Sequence, residues 1–241
     1  MMDINTNITG ISVCWNTLEL VERSFGSIRI FHPEMPVFIV DGSDKSNRCY
    51  GFTDSLQNEC TTVHHTNYNI GHGKGMHFGL RNIKTPFALL FDSDIEMLHS
   101  PVQAMLDMME DDTYGVGYME HVGEDGFDYG EHLIHKKQKP VRYMHPYFCL
   151  IQVKEYFKYK PFIHHGAPCI PAMLDIHRKN LSSKVLKEFP DLGHTKGQGL
   201  SWSACSGKYI LHDVSRFGGT GRMRVEAKLP HIDGQWERVV V

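Results

Sequence analysis

The chain has 241 residues, of which 41% are hydrophobic and 22% are charged, and this composition is typical of a folded globular protein with one large core. Its formal net charge of -3 excludes a general electrostatic attraction to nucleic acid, and no apolar run is long enough to span a membrane. The amino terminus lacks the features of a signal peptide, and the six cysteines contain no C-x-x-C pair. We therefore expect a cytoplasmic protein with reduced thiols.

The first elements predict a βαβ unit. Residues 8–15 form an apolar run that predicts a strand, and apolar side chains then recur at helical spacing from Leu18 to Phe31. Residues 37–40 predict a second buried strand, which leads into Asp41. A carboxylate at the end of such a strand can accept hydrogen bonds from a nucleobase or a ribose, although the turn-forming residues after Asp41 also fit an ordinary turn.

A glycine-rich segment follows the next predicted strand. Residues 45–58 predict a polar connection with about one helical turn, and residues 61–65 predict a short strand. The sequence N-I-G-H-G-K-G at 69–75 then precedes a helical segment at 76–82. Glycines before a helix let backbone N–H groups face an anion, and Lys74 adds a positive charge, so this loop predicts contact with a phosphate or a nucleoside. It matches neither a Walker A loop nor a dinucleotide fingerprint.

A pair of carboxylates follows the most apolar strand of the chain. Residues 87–91 predict a strand buried on both faces, and Asp92 and Asp94 come directly after it. If the strand geometry continues, both side chains point the same way, at the edge of the sheet where ligands usually bind. Two oxygen ligands there suit Mg²⁺ or Mn²⁺ shared with a diphosphate. A strand followed by an Asx-type turn explains the same residues, so the neighbouring segments have to decide.

Four short motifs in unbroken order resemble the family-two glycosyltransferases of the GT-A fold. The motifs are V-C-W-N at 13–16, V-D-G-S-D at 40–44, N-I-G-H-G-K-G at 69–75 with R-N at 81–82, and L-L-F-D-S-D at 89–94. The resemblance implies a single α/β domain with a Rossmann-like, mixed and mostly parallel sheet flanked by helices. In it, residues 1–99 would bind a nucleotide sugar and residues 100–241 would shape the acceptor site and carry a C-terminal flexible loop.

The same resemblance implies a metal-dependent transfer of a sugar from a nucleoside diphosphate sugar, usually a UDP-sugar, to an acceptor hydroxyl. The residues implied in donor binding are Asn16, Asp41, Gly71, Lys74, Asp92, Arg216 and Arg222. The residues implied in binding Mn²⁺ or Mg²⁺ are Asp92, Asp94 and His212, because GT-A enzymes often take a third metal ligand from a late histidine. A buried histidine beside a solvent-exposed loop is the alternative interpretation of His212.

The general base is the point at which the sequence departs from the family. The family commonly has an acidic E-D-x-D motif near a helix start, whereas this chain has Ala172 and Met173 at the acidic doublet and keeps only Asp175. Either Asp175 or a histidine of the pair His164 and His165, with His165 preferred, serves as the base, or the reaction retains the anomeric configuration and needs no separate base.

The second half of the chain predicts further elements and leaves the substrate open. We expect a helix that starts at Ser100 and Pro101 and a short helix at 182–189. We expect strands at 114–119, 141–153 and 209–212, and a loop or small hairpin at 120–139. A nucleotidyltransferase and a non-catalytic nucleotide-sugar-binding module are the alternative functions. The acceptor is a glycan, a protein side chain or a modified base in nucleic acid.

Overall fold

The structure is a computed structural model that describes residues 2–126, 140–163, 166–190, 192, 205–206 and 208–212. These residues form a seven-stranded sheet with helices packed on it and a second, three-stranded sheet. Among them the strands are β1 Ile8–Cys14, β2 Val37–Asp41, β3 Thr61–His65, β4 Phe87–Phe91, β5 Ile95–Met97, β6 Gly115–Val122, β7 Val141–Gln152, β8 Leu186–Glu188, β9 Cys205–Ser206 and β10 Ile210–His212.

The helices within the described residues are mostly short. They are α1 Ile4–Asn7, α2 Leu18–Phe31, α3 Arg48–Ser55, α4 His72–Asn82, α5 Val102–Asp107, α6 Val153–Tyr156, α7 Ile170–Arg178 and α8 Ser182–Val185. None of these helices combines the length and the apolar character that a membrane-spanning segment requires.

The large sheet has the strand order β3-β2-β1-β4-β7-β6-β8. Strands β3, β2, β1 and β4 are parallel, whereas β7 runs antiparallel to both β4 and β6. Because β1 lies between β2 and β4, the carboxyl ends of these three strands meet at one edge, and β2 and β4 are about 10 Å apart. This arrangement is the mixed, mostly parallel sheet that the sequence predicts.

The core lies on both faces of the large sheet. Along β4, Phe87, Leu89 and Phe91 belong to one buried cluster, and Ala88 and Leu90 belong to the other. Helices α2 and α5 contribute to the first cluster, and helices α4 and α7 contribute to the second. The central strand is thus buried on both sides, which explains why its sequence is continuously apolar.

Helix α4 packs very close to β1 because glycines face the strand. A Cβ atom added at Gly75 would lie 2.7 Å from a methyl group of Val13, and one added at Gly79 would lie 2.6 Å from a methyl group of Ile11. A Cβ atom at Gly73 would collide with the carbonyl oxygen of Ile163. The helix starts at His72, so most of the predicted glycine loop belongs to the helix and serves close packing.

The sequence underestimated the helix at 45–58 and extended the helix at 182–189 too far. The polar connection at 45–58 contains helix α3, because Asn47 caps it by accepting a hydrogen bond from Cys49 N (2.9 Å) and Thr53 anchors it through a hydrogen bond to Asp41. The helix predicted at 182–189 stops at Val185, because residues 186–188 pair with the free edge of β6. Both errors arise from contacts with distant strands, which local periodicity does not reveal.

Candidate functional site

The two carboxylates after β4 converge through a turn. Strand β4 ends at Phe91, and the Asp92 N–H donates to the Tyr147 carbonyl of β7 at 2.8 Å. The Ser24 hydroxyl donates to the Asp92 carbonyl at 3.0 Å. Strand β5 begins directly after Asp94, so the turn at 92–94 replaces the continued strand that the sequence predicts. The turn still brings both side chains to the carboxyl edge of the sheet.

His212 joins this pair through the small sheet. Strand β10 runs antiparallel to β5 with His212 opposite Ile95, which places the imidazole beside Asp94. The Nε2 atom of His212 lies 3.3 Å from Oδ1 of Asp94 and 3.9 Å from Oδ2 of Asp92. His212 is buried, and its ring stacks on Tyr147 with a centroid distance of 4.8 Å.

These three side chains form a set of ligands suitable for a divalent cation. One ligand atom from each of Asp92, Asp94 and His212 lies within 4.8 Å of the others. Two carboxylate oxygens and one imidazole nitrogen fit Mn²⁺ or Mg²⁺, and three protein ligands leave positions for phosphate oxygens and water. The structure therefore brings together the three residues that the sequence predicts as metal ligands, and metal binding itself stays a prediction.

A second histidine contacts the first of these carboxylates. The Nε2 atom of His72, the first residue of α4, lies 2.8 Å from Oδ1 of Asp92. Burial alone would raise the pKa of Asp92, but His72, followed by His212 and His145, lowers it to about 2. Burial would likewise lower the pKa of His72, yet Asp92 and Asp94 raise it above its usual value. Asp92 is therefore ionised at neutral pH.

Asp41 is buried and already hydrogen-bonded. Its Oδ1 accepts from Ser43 N at 2.8 Å, its Oδ2 accepts from the Thr53 hydroxyl, and Nδ1 of His65 lies 3.4 Å from Oδ2. The Ser43 hydroxyl in turn accepts from the N–H of Asn16, which is exposed and has a positive φ of 54°. Asp41 therefore joins the carboxyl ends of β1 and β2 to helix α3, and its predicted contact with a nucleotide stays a prediction.

Two thiols lie beside Asp41. Sulfur atoms of Cys14 and Cys49 and a carboxylate oxygen of Asp41 lie within 4.8 Å of one another. The hydrogen bond with Cys49, together with burial, raises the pKa of Cys14 well above its usual value. The same bond, with help from Ser43, lowers the pKa of Cys49 to about 7. Cys14, Cys49, Cys60, Cys149 and Cys169 are free thiols.

The predicted glycine-loop residues flank the start of α4. Gly71 occupies the N-cap position with a φ of 84°, which favours glycine, and its N–H donates to Oδ1 of Asn69 at 2.9 Å. Lys74 lies in the first turn of α4 and is exposed. The roles of Gly71 and Lys74 in donor binding stay predictions.

Of the candidate general bases, Asp175 lies within the described residues. Asp175 lies in α7, where its charge contributes to raising the pKa of Tyr159 after the larger effect of burial. Cys169 lies at the N-terminal end of α7, where burial and, to a smaller extent, the charge of Asp92 raise the pKa of its thiol. Asp175 is about 9 Å further along the axis of this helix. Three further predicted residues lie outside the described part of the chain: His165, Arg216 and Arg222.

His72 is the site residue that the sequence reasoning missed. It lies within the glycine-rich motif, where attention falls on the glycines and Lys74. The sequence indicates a role for His72 only through its place at the start of a helix near the ligand-binding edge of the sheet. That place does not identify Asp92 as its partner.

The comparison with protein families decides the class of the protein. Residues 11–173 match the family model "Glycosyl transferase family 2". The chain belongs to this family. It is therefore a glycosyltransferase, and the matched region contains residues 11–14 of β1, all of β2, β3 and β4, the turn at 92–94 and helix α4. A search among curated proteins finds no match.

Solved structures of other glycosyltransferases share the fold of this family 2 chain. The mannosyltransferase PcManGT from Pyrobaculum calidifontis, in complex with GDP-Man and Mn²⁺, is similar with a TM-score of 0.57 and 11% identity, over 97% of this chain and 68% of that chain. S. aureus TarS 1-349, in complex with UDP-GlcNAc, is similar with a TM-score of 0.53 and 15% identity, over 77% of this chain and 56% of that chain. The predicted GT-A fold is confirmed.

Proposed function

We propose that this family 2 member transfers a sugar from a nucleoside diphosphate sugar to an acceptor hydroxyl, with Mn²⁺ or Mg²⁺ held by Asp92, Asp94 and His212. The observation that carries the proposal is the convergence of two carboxylates and one imidazole at the carboxyl edge of the parallel strands. This edge is where open α/β sheets bind ligands. The ligands reported for PcManGT and TarS, GDP-Man with Mn²⁺ and UDP-GlcNAc, agree with a donor of this class.

The chain's own residues prepare the metal site. Asp92 is kept ionised by His72, and His212 is held in place by stacking on Tyr147. The hydrogen bonds that the Asp92 backbone makes with the Tyr147 carbonyl and the Ser24 hydroxyl fix the turn that carries both carboxylates. When bound, a divalent cation stabilises the negative charge that develops on the leaving diphosphate.

The donor would extend from this site along the strand ends toward β2. Asn16 and Lys74 are exposed and available to the nucleotide, whereas Asp41 would act through the loop that it organises. We propose a UDP-sugar as donor because the order of motifs resembles enzymes that usually use one. Arg216 and Arg222 would bind the diphosphate, and Asp175 or His165 would serve as the base.

For the acceptor, the proposal is limited to chemical classes. A glycan precursor, a protein hydroxyl and a modified base in nucleic acid are the acceptor classes to test. Location in the cytoplasm stays a prediction from the sequence. The two alternative functions, nucleotidyl transfer and binding without turnover, differ from glycosyl transfer in the products that they release.

An assay of product release tests the proposal without knowledge of the acceptor, because hydrolysis of the donor releases the same diphosphate. The protein is incubated with UDP-sugars and GDP-sugars in the presence of Mn²⁺, Mg²⁺ or EDTA, and the nucleoside diphosphate is measured. We expect release of UDP from one UDP-sugar, dependent on the metal. Release of pyrophosphate from a nucleoside triphosphate would instead support the nucleotidyltransferase, and metal-dependent binding without any release would support the binding module.

A further inference from the structure

We propose that His72 is a positioning residue of the metal site, whose Nε2 contacts Oδ1 of Asp92 and leaves Oδ2 on the side of His212. The proposal rests on the proposed function, because it assigns the group that orients one of the metal ligands. It concerns a residue of α4 that contributes no ligand atom of its own.

The two oxygens of Asp92 have separate neighbours. Oδ1 lies 2.8 Å from Nε2 of His72, whereas Oδ2 lies on the side of His212, 3.9 Å from its Nε2. A carboxylate that is free to rotate exchanges its two oxygens, and a close polar contact with one of them limits this exchange. A metal ligand of this kind is commonly fixed by a hydrogen bond from a neighbouring side chain, and its loss weakens metal affinity.

His72 is separate from the group of ligand atoms. Within the described residues, the atoms that cluster within 4.8 Å at this site come from Asp92, Asp94 and His212. The Nε2 atom of His72 is used in its contact with Asp92, where it lies 2.8 Å from Oδ1. His72 therefore acts through Asp92.

The backbone of α4 fixes the position of His72. Gly71 directs the chain into the helix with its positive φ, and Asn69 holds the Gly71 N–H. One turn further, Gly75 lies against Val13 of β1, the strand next to β4. A longer side chain at this glycine would push the helix away from the sheet and lengthen the contact between His72 and Asp92.

On the side of α4 away from β1, the backbone at Ile163 also lies very close to the start of the helix. A Cβ atom at Gly73 would collide with the Ile163 carbonyl oxygen and would lie 2.7 Å from Pro168. The N-terminal turn of α4 is therefore enclosed between β1 and the segment that precedes α7. This packing fixes the position of the His72 imidazole next to Asp92. A positioning residue requires such a fixed position.

The experiment measures the binding of Mn²⁺ in the presence of excess UDP, by the electron paramagnetic resonance signal of free Mn²⁺. His72→Ala and His72→Phe both remove the donor, and His72→Phe keeps a ring of similar size. We expect Mn²⁺ affinity to fall about 10- to 100-fold in both variants. His72→Gln, which keeps an N–H donor at a similar reach, should recover most of the affinity.

A matched control comes from the same helix. His77 also lies in α4, but its Nδ1 pairs with the Tyr156 hydroxyl at 2.8 Å. His77→Ala should leave Mn²⁺ affinity unchanged. Unfolding midpoints of all variants identify any that do not fold, and His72→Phe then replaces His72→Ala in the comparison.

The outcomes separate this proposal from the proposed function. Wild-type affinity in both His72→Ala and His72→Phe overturns the positioning role while leaving the metal site intact. An equal loss in His72→Gln also overturns it, because the imidazole would then matter for a reason other than its N–H. If the wild-type protein itself binds no Mn²⁺ with UDP, the proposed function fails, and the role of His72 fails with it.

Discussion

The Nε2 atom of His212 lies 3.3 Å from Oδ1 of Asp94, although the two residues come from opposite halves of the chain. The pairing of β10 with β5 produces this contact, because Ile95, the residue after Asp94, is directly opposite His212. The proposed metal site is therefore built by the small sheet as much as by the large one. A change that disturbs β10 should weaken the site without altering either carboxylate.

Replacement of Asp94 tests the role of the second carboxylate. Asp94→Asn removes a negative charge from the cluster with little change in volume, so we expect donor hydrolysis to fall about 100-fold or more. The release of nucleoside diphosphate measures this effect. Asp107→Asn, on the exposed surface of α5, is the matched control and should keep wild-type activity. Equal activity of the two variants would contradict the metal assignment.

Replacement of Thr53 tests the support of Asp41. The Thr53 hydroxyl donates to the buried carboxylate of Asp41, so Thr53→Val leaves that oxygen without this donor. We expect the free energy of unfolding to fall by about 1.5–3 kcal/mol, the cost of losing a hydrogen bond to a charged group. Thr62→Val, at an exposed position of β3, is the control. Urea unfolding gives both values, and an equal change in the two variants would refute the role of Thr53.

Two glycine substitutions test the packing of α4. Gly73→Ala introduces a Cβ that meets the Ile163 carbonyl, and we expect it to destabilise the protein by about 1–3 kcal/mol. Gly26→Ala lies within α2, and its added Cβ has no neighbour within 4 Å outside the backbone of its own helix, so it should stabilise the protein by about 0.5–1 kcal/mol. Urea unfolding checks the opposite signs, and a stabilising effect of Gly73→Ala would show that the helix is less tightly enclosed.

Because His32 is buried, the protein should lose stability at acidic pH. Burial, followed by the charge of Arg29, lowers the pKa of His32 in the folded protein below its usual value. The folded state therefore binds fewer protons than the unfolded state. The contribution of His32 to stability is complete above about pH 6.5 and is lost as the pH falls below that value, at no more than about 1.4 kcal/mol per pH unit.

His32→Gln provides the comparison for this pH dependence. Its amide can keep a hydrogen bond with the Ser100 hydroxyl, which pairs with Nε2 of His32 at 2.7 Å, but it does not titrate. As the pH is lowered from 7.5 to 5, the free energy of unfolding should decrease less steeply for the variant than for the wild type. Identical slopes would show that His32 does not contribute.

Much of the fold could be predicted from the sequence, because the first strands are apolar runs bounded by turn-forming residues. The predicted limits of β1, α2, β2, β3 and β4 agree with the structure to within a residue. Helix α3 was underestimated because only Cys49 and Thr53 are buried in it. Strand β8 was missed because its pairing with β6 depends on a long-range contact that leaves no periodic pattern.

The site could be predicted in part. Asp92 and Asp94 were predicted as ligands because they follow a buried strand, and His212 because of its position late in the chain. The structure brings these three residues together. The contact of His72 with Asp92 could not be predicted, because it depends on the close approach of α4 to β1 at Gly75 and Gly79. Close packing of this kind depends on which glycines face a neighbouring strand, and the sequence does not specify the neighbour.

The most direct test of the central claim is the binding of UDP measured by isothermal titration calorimetry, with Mn²⁺ and with EDTA, for the wild type and for Asp94→Asn. If Asp92, Asp94 and His212 hold the cation that binds the diphosphate, the wild type should bind UDP tightly only with Mn²⁺, and Asp94→Asn should bind it weakly under both conditions. UDP binding of equal strength with Mn²⁺ and with EDTA in the wild type would contradict the account.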